Sequence, residues 1–182
     1  MASRGGVRHT PVCLTADDSV FLGFVTWQHG LVSLVLEVVT ESSVRRPGLV
    51  FPDFVEDARF DPYWWRDGSA KSPVTYCRFL DNGEEVGRAK ILPGSRSYDG
   101  YTSWSCPPAG VTEIDLIEIR PDLRRAHKRY GRQAVEAISL AYGEPVIAMS
   151  LDETSDGFWS SLGWTAHTHP DGEGYRTLFT SV

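Results

Sequence analysis

The chain of 182 residues has little of what marks membrane, secreted or metal-binding proteins. No apolar run reaches the roughly 20 residues that span a bilayer, and the start, MASRGGVRHTPVCL, lacks the apolar segment of a signal peptide. Cys13, Cys77 and Cys106 are odd in number and widely spaced, so they form neither a disulfide framework nor a zinc pattern. These absences predict a cytoplasmic protein that has no membrane contact, keeps its cysteines reduced and holds no metal.

Lysine is nearly absent, although arginine is abundant. Lysine occurs only three times, and 24 acidic residues outnumber 18 Lys and Arg, for a net charge of −6. Proteins that bind tRNA or DNA through phosphates usually show the opposite balance, so nucleic acid is not expected as a partner. A hydrophobic content of 41% over residues 1–182 is typical of one soluble globular domain.

Hydrophobic periodicity divides the chain into short strands and helices. The clearest signal is a hairpin, VTYCRFL and EEVGRAKIL around Asp81-Asn82-Gly83. Residues 21–28 and 31–40 are expected to form an antiparallel pair, although the second run also fits a helix. Residues 52–60 carry a weak helical signal with proline at the first turn. Residues 93–110 lack periodicity, and loops of this length are usually functional or disordered.

The stretch 111–135, VTEIDLIEIRPDLRRAHKRYGRQAV, is the most informative. Its period-two alternation slips at the Leu116–Ile117 pair, so Glu113 and Asp115 share one strand face and Glu118 falls out of phase with them. Such a slip indicates a β-bulge, which inserts one residue and frees a backbone N–H. We therefore predict a bulged strand, a cationic loop and then the helix RQAVEAISLAY, an arrangement suited to a phosphorylated ligand.

This order of features resembles the GNAT superfamily of acyl-CoA-dependent N-acyltransferases. In that family a bulged strand runs into a loop, R/Q-x-x-G-x-G/A, whose amides bind the pyrophosphate of coenzyme A. Tyr130-Gly131 matches the last two positions of the loop, while Arg129 stands at its middle glycine and Ala126 at its first Arg/Gln. A buried strand PVIAMSL, a short helix over 153–162 and a closing Gly-aromatic pair then follow in the family's order. The resemblance is clearest over residues 74–182, with residues 1–30 as an N-terminal extension.

The resemblance implies a mixed α/β fold of three layers. A central, mostly antiparallel twisted sheet would carry helices on both faces, and the bulged strand would splay from the PVIAMSL strand to form the cofactor cleft. It also implies acetyl-CoA as the cofactor, with its pantetheine arm along the backbone of Ile117 and Ile119 and its thioester carbonyl at the amide freed by the bulge. The predicted contacts to coenzyme A are Ile117, Glu118, Ile119, Arg124, Arg125, Ala126, His127, Lys128, Arg129, Tyr130, Gly131, Arg132, Asp152, Ser155 and Trp159.

The implied reaction is direct transfer of an acetyl group to a primary amine of a small molecule or a protein. Glu113 or Asp115, directly or through a water, would remove the proton of the substrate ammonium. Trp159 stands where the family often has a tyrosine that protonates the leaving thiolate, which an indole cannot do. Trp159 is expected in the cleft, against the cofactor arm.

Aromatic residues crowd two irregular segments, residues 42–73 and 93–110, and are predicted to wall the acceptor site. They are Trp64, Trp65, Tyr98, Tyr101 and Trp104. Acidic residues in the same segments favour a cationic amine. His167 and His169 are interpreted as a surface pair, because no nearby Cys or Glu completes a metal site.

Two other functions remain open at this point. The chain could be a degenerate member of the family that binds a partner or acyl-CoA without catalysis, or a toxin that acetylates charged tRNA. Whether it forms a homodimer is also open.

Overall fold

The computed structural model describes residues 34–39, 41–42, 51–66, 73–102, 104–124, 127–143, 145–172 and 174–181. The strand expected over 21–28 lies outside these residues, as do Arg125 and Ala126 of the predicted loop. The described strands are β1 (Val35–Val39), β2 (Glu41–Ser42), β3 (Phe51–Pro52), β4 (Thr75–Asp81), β5 (Glu84–Ser95), β6 (Val111–Ile119), β7 (Val146–Met149), β8 (Thr165–His167) and β9 (Leu178–Thr180). The described helices are α1 (Pro62–Arg66), a 3₁₀ turn (Pro121–Leu123), α2 (Tyr130–Tyr142) and α3 (Glu153–Ser161).

Seven strands form one sheet in the order β1-β4-β5-β6-β7-β9-β8, and β2 pairs with β3 separately. Every neighbouring pair in the large sheet is antiparallel except β6 and β7. That parallel pair is joined through α2, since parallel strands need a long crossover. The mixed, mostly antiparallel architecture is the one predicted from the sequence.

The β4–β5 hairpin confirms the turn prediction. Asp81 pairs with Glu84 across a two-residue turn, and both central residues have positive φ, 51° at Asn82 and 83° at Gly83. Asn-Gly is favoured in such turns because few other residues tolerate two left-handed positions in succession. The hairpin register that follows places Cys77 opposite Ala89 in the middle of the sheet.

The two faces of the sheet are covered differently. On the helix face, α2 and α3 bury an apolar cluster that includes Ala89, Ile114, Ile138 and Trp159. On the opposite face, which we call the loop face, the covering elements are the two irregular segments. Residues 54–65 pack over Tyr76 and Leu92, with α1 as their one described helical turn, and residues 98–106 pack over Ile147 and Leu178.

The helix predicted over 52–60 is wrong. Pro52 ends β3, residues 53–57 are irregular, and the helix begins ten residues later than expected, at Pro62. The N-terminal-proline signal was sound, since Pro62 also opens a helix, but it was assigned to the wrong proline. The later predicted elements are also confirmed: α2 begins two residues earlier than expected, and β7 and α3 are shorter than expected.

Candidate active site on the bulged strand

The bulge in β6 is real but lies one residue earlier than predicted. Ile114 pairs with Ile91 and Leu116 pairs with Lys90, so Asp115 is the extra residue. Leu116 and Ile117 are in regular register, which corrects the predicted position of the slip. The extra residue also restores the phase of the strand: Glu113 lies opposite Leu92 and Glu118 opposite Arg88. Both carboxylates therefore lie on the loop face, rather than on opposite faces.

Two backbone hydrogen bonds show what the bulge does to the strand edges. The N–H of Thr112 donates to the carbonyl of Pro145, next to β7, at 3.0 Å. Eight residues later the N–H of Arg120 donates to the carbonyl of Val86 in β5, also at 3.0 Å. In a regular strand two residues an even number apart point their amides to the same edge. The reversal requires the inserted residue, and it turns the backbone of Ile117 and Ile119 toward the β7 side.

The pairing of β6 with β7 ends directly before the bulge. Their parallel pairing runs from Thr112–Val146 to Ile114–Ala148 and stops there, because β7 ends at Met149 while β6 continues to Ile119. The predicted splay between these strands is therefore confirmed. The backbone of Ile117 and Ile119 faces the gap, and the carbonyl of Ile119 accepts a hydrogen bond from Arg124 Nε at 3.0 Å.

The predicted cationic loop follows β6 and ends where α2 begins, at Tyr130. Its N-cap residue, Arg129, has the left-handed φ of 51°, and no side chain among the described residues caps the first turn. The first amides of a helix have no partner within the helix, so those of residues 130–132 are donors for an anion. The side chains of Arg129 and Lys128 are exposed here, as is His127.

Two cationic side chains in this region, Lys128 and Arg132, contact other parts of the protein. Lys128 Nζ lies 2.7 Å from Asp81 Oδ2, and the hydroxyl of Tyr130 donates to the same oxygen at 2.6 Å. Both hydrogen bonds hold the pKa of Asp81 below its ordinary value, and the one from Lys128 has the larger effect. Arg132 donates to the carbonyl of Ser161. Lys128, Tyr130 and Arg132 therefore fasten the loop and α2 to neighbouring elements, a role that the sequence analysis missed.

Gly131 has a structural reason to be glycine. A Cβ at this position would lie 2.9 Å from Cε2 of Phe158, which is closer than real contacts of a Cβ. The small residue thus lets α2 approach α3. Close approach of a phosphate to the Gly131 backbone remains a prediction.

Asp152, Ser155 and Trp159 are on or next to α3. Asp152 accepts from the Ser155 amide at 2.8 Å, and the Ser155 hydroxyl accepts from the Asp152 amide at 2.9 Å, which is a reciprocal capping box. Trp159 is 4% exposed and stacks on Trp164 with ring centroids 4.9 Å apart. Contact of these three residues with coenzyme A also remains a prediction.

The two candidate bases differ in their surroundings. Glu113 is completely buried, and the hydroxyl of Ser95 donates to its Oε2. Asp115, on the bulge, forms an ion pair of 2.7 Å with Lys90 Nζ, and both side chains are 17% exposed. A substrate amine would reach either carboxylate from the loop face.

Glu118 fixes the segment that covers this face. Its carboxylate is 2% exposed and accepts from Trp65 Nε1 at 2.7 Å and from the Asp61 amide at 3.1 Å. Arg124 lies 3.6 Å away on the exposed side. A buried carboxylate without such donors would be costly, so Glu118 and Trp65 depend on each other. The Glu118 side chain therefore holds the segment on the loop face. Contact of Glu118 with coenzyme A stays a prediction.

The predicted aromatic wall is divided between two clusters on the loop face. Trp64 and Trp65 belong to the cluster of segment 54–65. Tyr98, Tyr101 and Trp104 pack with Ile147 and Leu178. Glu113 lies at the seam between the clusters, since its strand neighbours are Leu92 in the first and Ile147 in the second.

Tyr101 and Trp104 also contact the end of the chain. Tyr101 lies edge-on to His169, which stacks on Tyr175 at 3.8 Å, and Trp104 lies beside His167. His167 Nε2 is 3.1 Å from the Thr180 hydroxyl, and partial burial lowers its pKa. His167 and His169 therefore have aromatic and hydroxyl neighbours. Within the described ranges no three His, Cys, Asp or Glu side chains are grouped to bind a metal ion.

A pocket of about 460 Å³ lies at the end of β6, beside the covering segment of residues 54–65. Its lining residues are Ala58, Arg59, Phe60, Asp61, Pro62, Tyr63, Glu118, Pro121 and Arg124. None of them belongs to β7 or α3, so this pocket is distinct from the gap between β6 and β7.

The helices in the described part of the chain are too short or too polar to cross a membrane.

The chain is similar to solved acetyltransferase structures. For an acetyltransferase from Thermus thermophilus the identity is 19% and the TM-score 0.44, over 60% of this chain and 64% of that one. For the Bacillus subtilis N-acetyltransferase YlbP in complex with coenzyme A the identity is 14% and the TM-score 0.41, over 58% of this chain and 65% of that one. This chain thus spans slightly less than two thirds of either protein. The resemblance predicted from the motifs is to the same class of protein, and another of the similar structures is described as a GNAT-family acetyltransferase.

The toxin AtaT is a further similar structure. Complexed with acetyl-methionyl-tRNAfMet it has 16% identity and a TM-score of 0.42, over 81% of this chain and 94% of that one. The expectation that nucleic acid is not a partner rests on net charge alone and is not confirmed. No protein-family profile and no curated protein matches the sequence.

Proposed function

We propose that this protein is an N-acetyltransferase that moves an acetyl group directly from acetyl-CoA to a primary amine. The observation that carries the proposal is the geometry of β6. Its bulge at Asp115 turns the backbone of Ile117 and Ile119 toward the gap that opens where β7 ends. A strand edge of this kind can pair with an extended ligand that carries amide groups, as the pantetheine arm does.

The start of α2 would hold the other end of the cofactor. The amides of residues 130–132 and the positive end of the helix dipole suit a pyrophosphate. Arg129 is exposed beside them. The acetyl group would then lie near the bulge, where a backbone N–H can stabilise the oxyanion that forms on the thioester carbonyl.

In the reaction, the amine nitrogen forms a bond to the acetyl carbon and the carbon–sulfur bond breaks. Only a free amine attacks, so a base must first take the ammonium proton. Glu113 and Asp115 are the proposed bases, and both lie on β6 at or just before the bulge. The sulfur leaves as a thiolate, which is tolerable because an ordinary thiol has a pKa of about 8.5. The attacking nitrogen loses its second proton to the solvent as the amide forms.

Two measurements test the proposal. Acetyl-CoA at about a hundred times its dissociation constant should stabilise the protein by roughly 2.7 kcal/mol. Release of coenzyme A should then be followed with a thiol reagent and a set of amines: polyamines, amino sugars, peptides and aminoacyl-tRNA. Burial raises the pKa of the Cys77 thiol to about 11, so this residue adds little background. Absence of any stabilisation by acetyl-CoA would overturn the proposal.

The second candidate is a binding module that keeps acetyl-CoA but has no activity. The complete burial of Glu113 and the presence of Trp159 favour it. Stabilisation by acetyl-CoA without release of coenzyme A to any amine would select this alternative.

A further inference from the structure

We infer that the hydroxyl groups of Ser95 and Ser97 relay a proton from the acceptor amine to the buried carboxylate of Glu113. The inference rests on the proposed acetyl transfer and adds two residues to it. It explains how a carboxylate without solvent contact can act on a substrate.

The three side chains form a continuous line from the interior to the surface. Glu113 is 0% exposed, and Ser95, which donates to its Oε2, is 9% exposed. The hydroxyl of Ser97 is 2.9 Å from that of Ser95, and the Ser97 amide donates to Ser95 Oγ at 3.1 Å. Ser97 itself is exposed. Two hydroxyls thus connect the buried Glu113 carboxylate to the surface of the protein.

The direction of the relay follows from hydrogen-bond chemistry. An ionised carboxylate only accepts, so the Ser95 proton points to Glu113. A hydroxyl has one proton, so Ser95 can only accept from Ser97, and Ser97 must donate to Ser95. The remaining lone pair of Ser97 is then directed outward, where it can accept the proton of an ammonium group.

The proton balance is simple. The ammonium proton passes to Ser97 Oγ, the Ser97 proton passes to Ser95 Oγ, and the Ser95 proton passes to Glu113 Oε2. One proton has moved, the amine is free and Glu113 is a neutral acid, which returns its proton by the reverse route after transfer. Ser97 directly precedes Tyr98 of the predicted acceptor wall, which places the outer end of the relay beside that wall.

Other titratable groups surround this line. On the sheet, Lys90 and Asp115 form an ion pair next to Glu113. From the loop, Cys106 donates to the carbonyl of Ser95 at 3.6 Å, and Tyr98 packs in the same cluster. His167 contacts the hydroxyl of Thr180 in β9, the strand beside β7. The line through Ser95 differs from these contacts because it ends at an exposed hydroxyl, which is what a relay from the substrate side requires.

The experiment compares wild type, Ser95→Ala, Ser97→Ala and Glu113→Gln with two acceptors. Benzylamine is protonated at neutral pH and needs a base, whereas benzhydrazide has a similar size and an unprotonated NH₂ group. With benzylamine at neutral pH, each variant should lose about 10²-fold in kcat/KM, the low end for general acid–base catalysis. The loss should shrink as pH rises and benzylamine becomes free amine, and it should be small with benzhydrazide at every pH.

Two controls separate a relay from a structural effect. Ser105→Ala removes an exposed serine of the same loop and should behave as wild type. The double variant Glu113→Gln/Ser97→Ala should be no slower than Glu113→Gln alone, because both changes interrupt one path. Acetyl-CoA affinity should be unchanged throughout.

The outcomes distinguish this inference from the proposed function. If wild type transfers acetyl groups but Ser95→Ala and Ser97→Ala equal it, the relay is overturned and the function stands. Losses that do not depend on pH or acceptor, or that multiply in the double variant, also overturn the relay. If wild type transfers no acetyl group to benzylamine, benzhydrazide or the amines tested above, the relay and the proposed function are both overturned.

Discussion

The indole N–H of Trp65 donates to Glu118 Oε2 across 2.7 Å in the interior of the loop face. The two residues are 53 positions apart, and their contact joins α1 to the end of the bulged strand. With the Asp61 amide on the same carboxylate, this bond fixes the segment that walls both the pocket at the end of β6 and one side of the Glu113 seam.

Trp65→Phe should destabilise the protein by about 1–3 kcal/mol, because it removes the shorter of the two hydrogen bonds that the buried Glu118 Oε2 accepts. Urea unfolding measures the loss, and Trp64→Phe, in the same cluster, is the matched control with a smaller effect. Combining Trp65→Phe with Glu118→Gln should give less than the sum of the single losses. Since neither side chain faces the β6–β7 gap, acetyl-CoA affinity should persist while KM for the amine rises. A loss of acetyl-CoA affinity in the folded variant would contradict this assignment.

The sequence predicted the bulge, the splay and the order of elements because these depend on local pattern. The period-two alternation along β6 revealed the bulge, and the apolar run of β7 indicated a buried strand. The position of the bulge was one residue off, since alternation shows that the phase changes but does not identify which residue is unpaired. The register with β5 decides that question, and it gives Asp115.

Tertiary partners could not be predicted in the same way. Glu118 bonds Trp65 from 53 positions away, and Lys128 bonds Asp81 from 47 positions away. Nothing in the spacing of these residues indicates either pair. Ser95 was overlooked because a serine at a strand end is ordinarily solvated. Its contact with Glu113 depends on the pairing of β5 with β6, which brings residue 95 opposite Val111.

Gly131→Val should weaken acetyl-CoA binding, but the clash with Phe158 must be separated from the effect on the cofactor. The variant should therefore be made alone and together with Phe158→Leu, which gives room to the new side chain. We expect the second change to recover part of the lost stability in thermal unfolding without recovering affinity by calorimetry, because a β-branched residue still blocks approach to the backbone. If Phe158→Leu restores both, Gly131 serves helix packing only.

Asp81 should make stability depend on pH at the acid end. Its pKa is lowered from the ordinary 3.8, first by Lys128 and then by Tyr130. The folded state therefore binds its proton more weakly than the unfolded state does, so the contribution is complete above about pH 4 and is lost as pH falls through the lower folded pKa. Asp81→Asn should lose about 1–3 kcal/mol in urea unfolding at pH 7, and its difference from wild type should narrow at pH 3. The exposed Asp53→Asn is the control. A difference that stays constant down to pH 3 would show that charge on Asp81 is not the cause.

Trp159 should matter for packing and not for proton transfer. It is 4% exposed, stacks on Trp164 at an interplanar angle of 28° and meets Phe158 edge-on with centroids 4.9 Å apart. Trp159→Ala should cost about 3–5 kcal/mol, as other large-to-small changes of buried aromatics do, and should weaken acetyl-CoA binding by opening a void. Trp159→Phe keeps an aromatic ring in the stack and should keep most of kcat, since an indole N–H is a poor acid.

Unfolding and turnover should be measured on the same Trp159 preparations, with affinity determined well below the melting temperature of each variant. Trp159→Tyr adds the hydroxyl that the GNAT resemblance places near the sulfur, and it should raise kcat if thiolate protonation limits the rate. If Trp159→Phe abolishes transfer while fold and acetyl-CoA affinity survive, the indole N–H has a chemical role. If Trp159→Ala loses stability but keeps its affinity for acetyl-CoA, Trp159 belongs to the core beneath α3 and does not line the cofactor cleft.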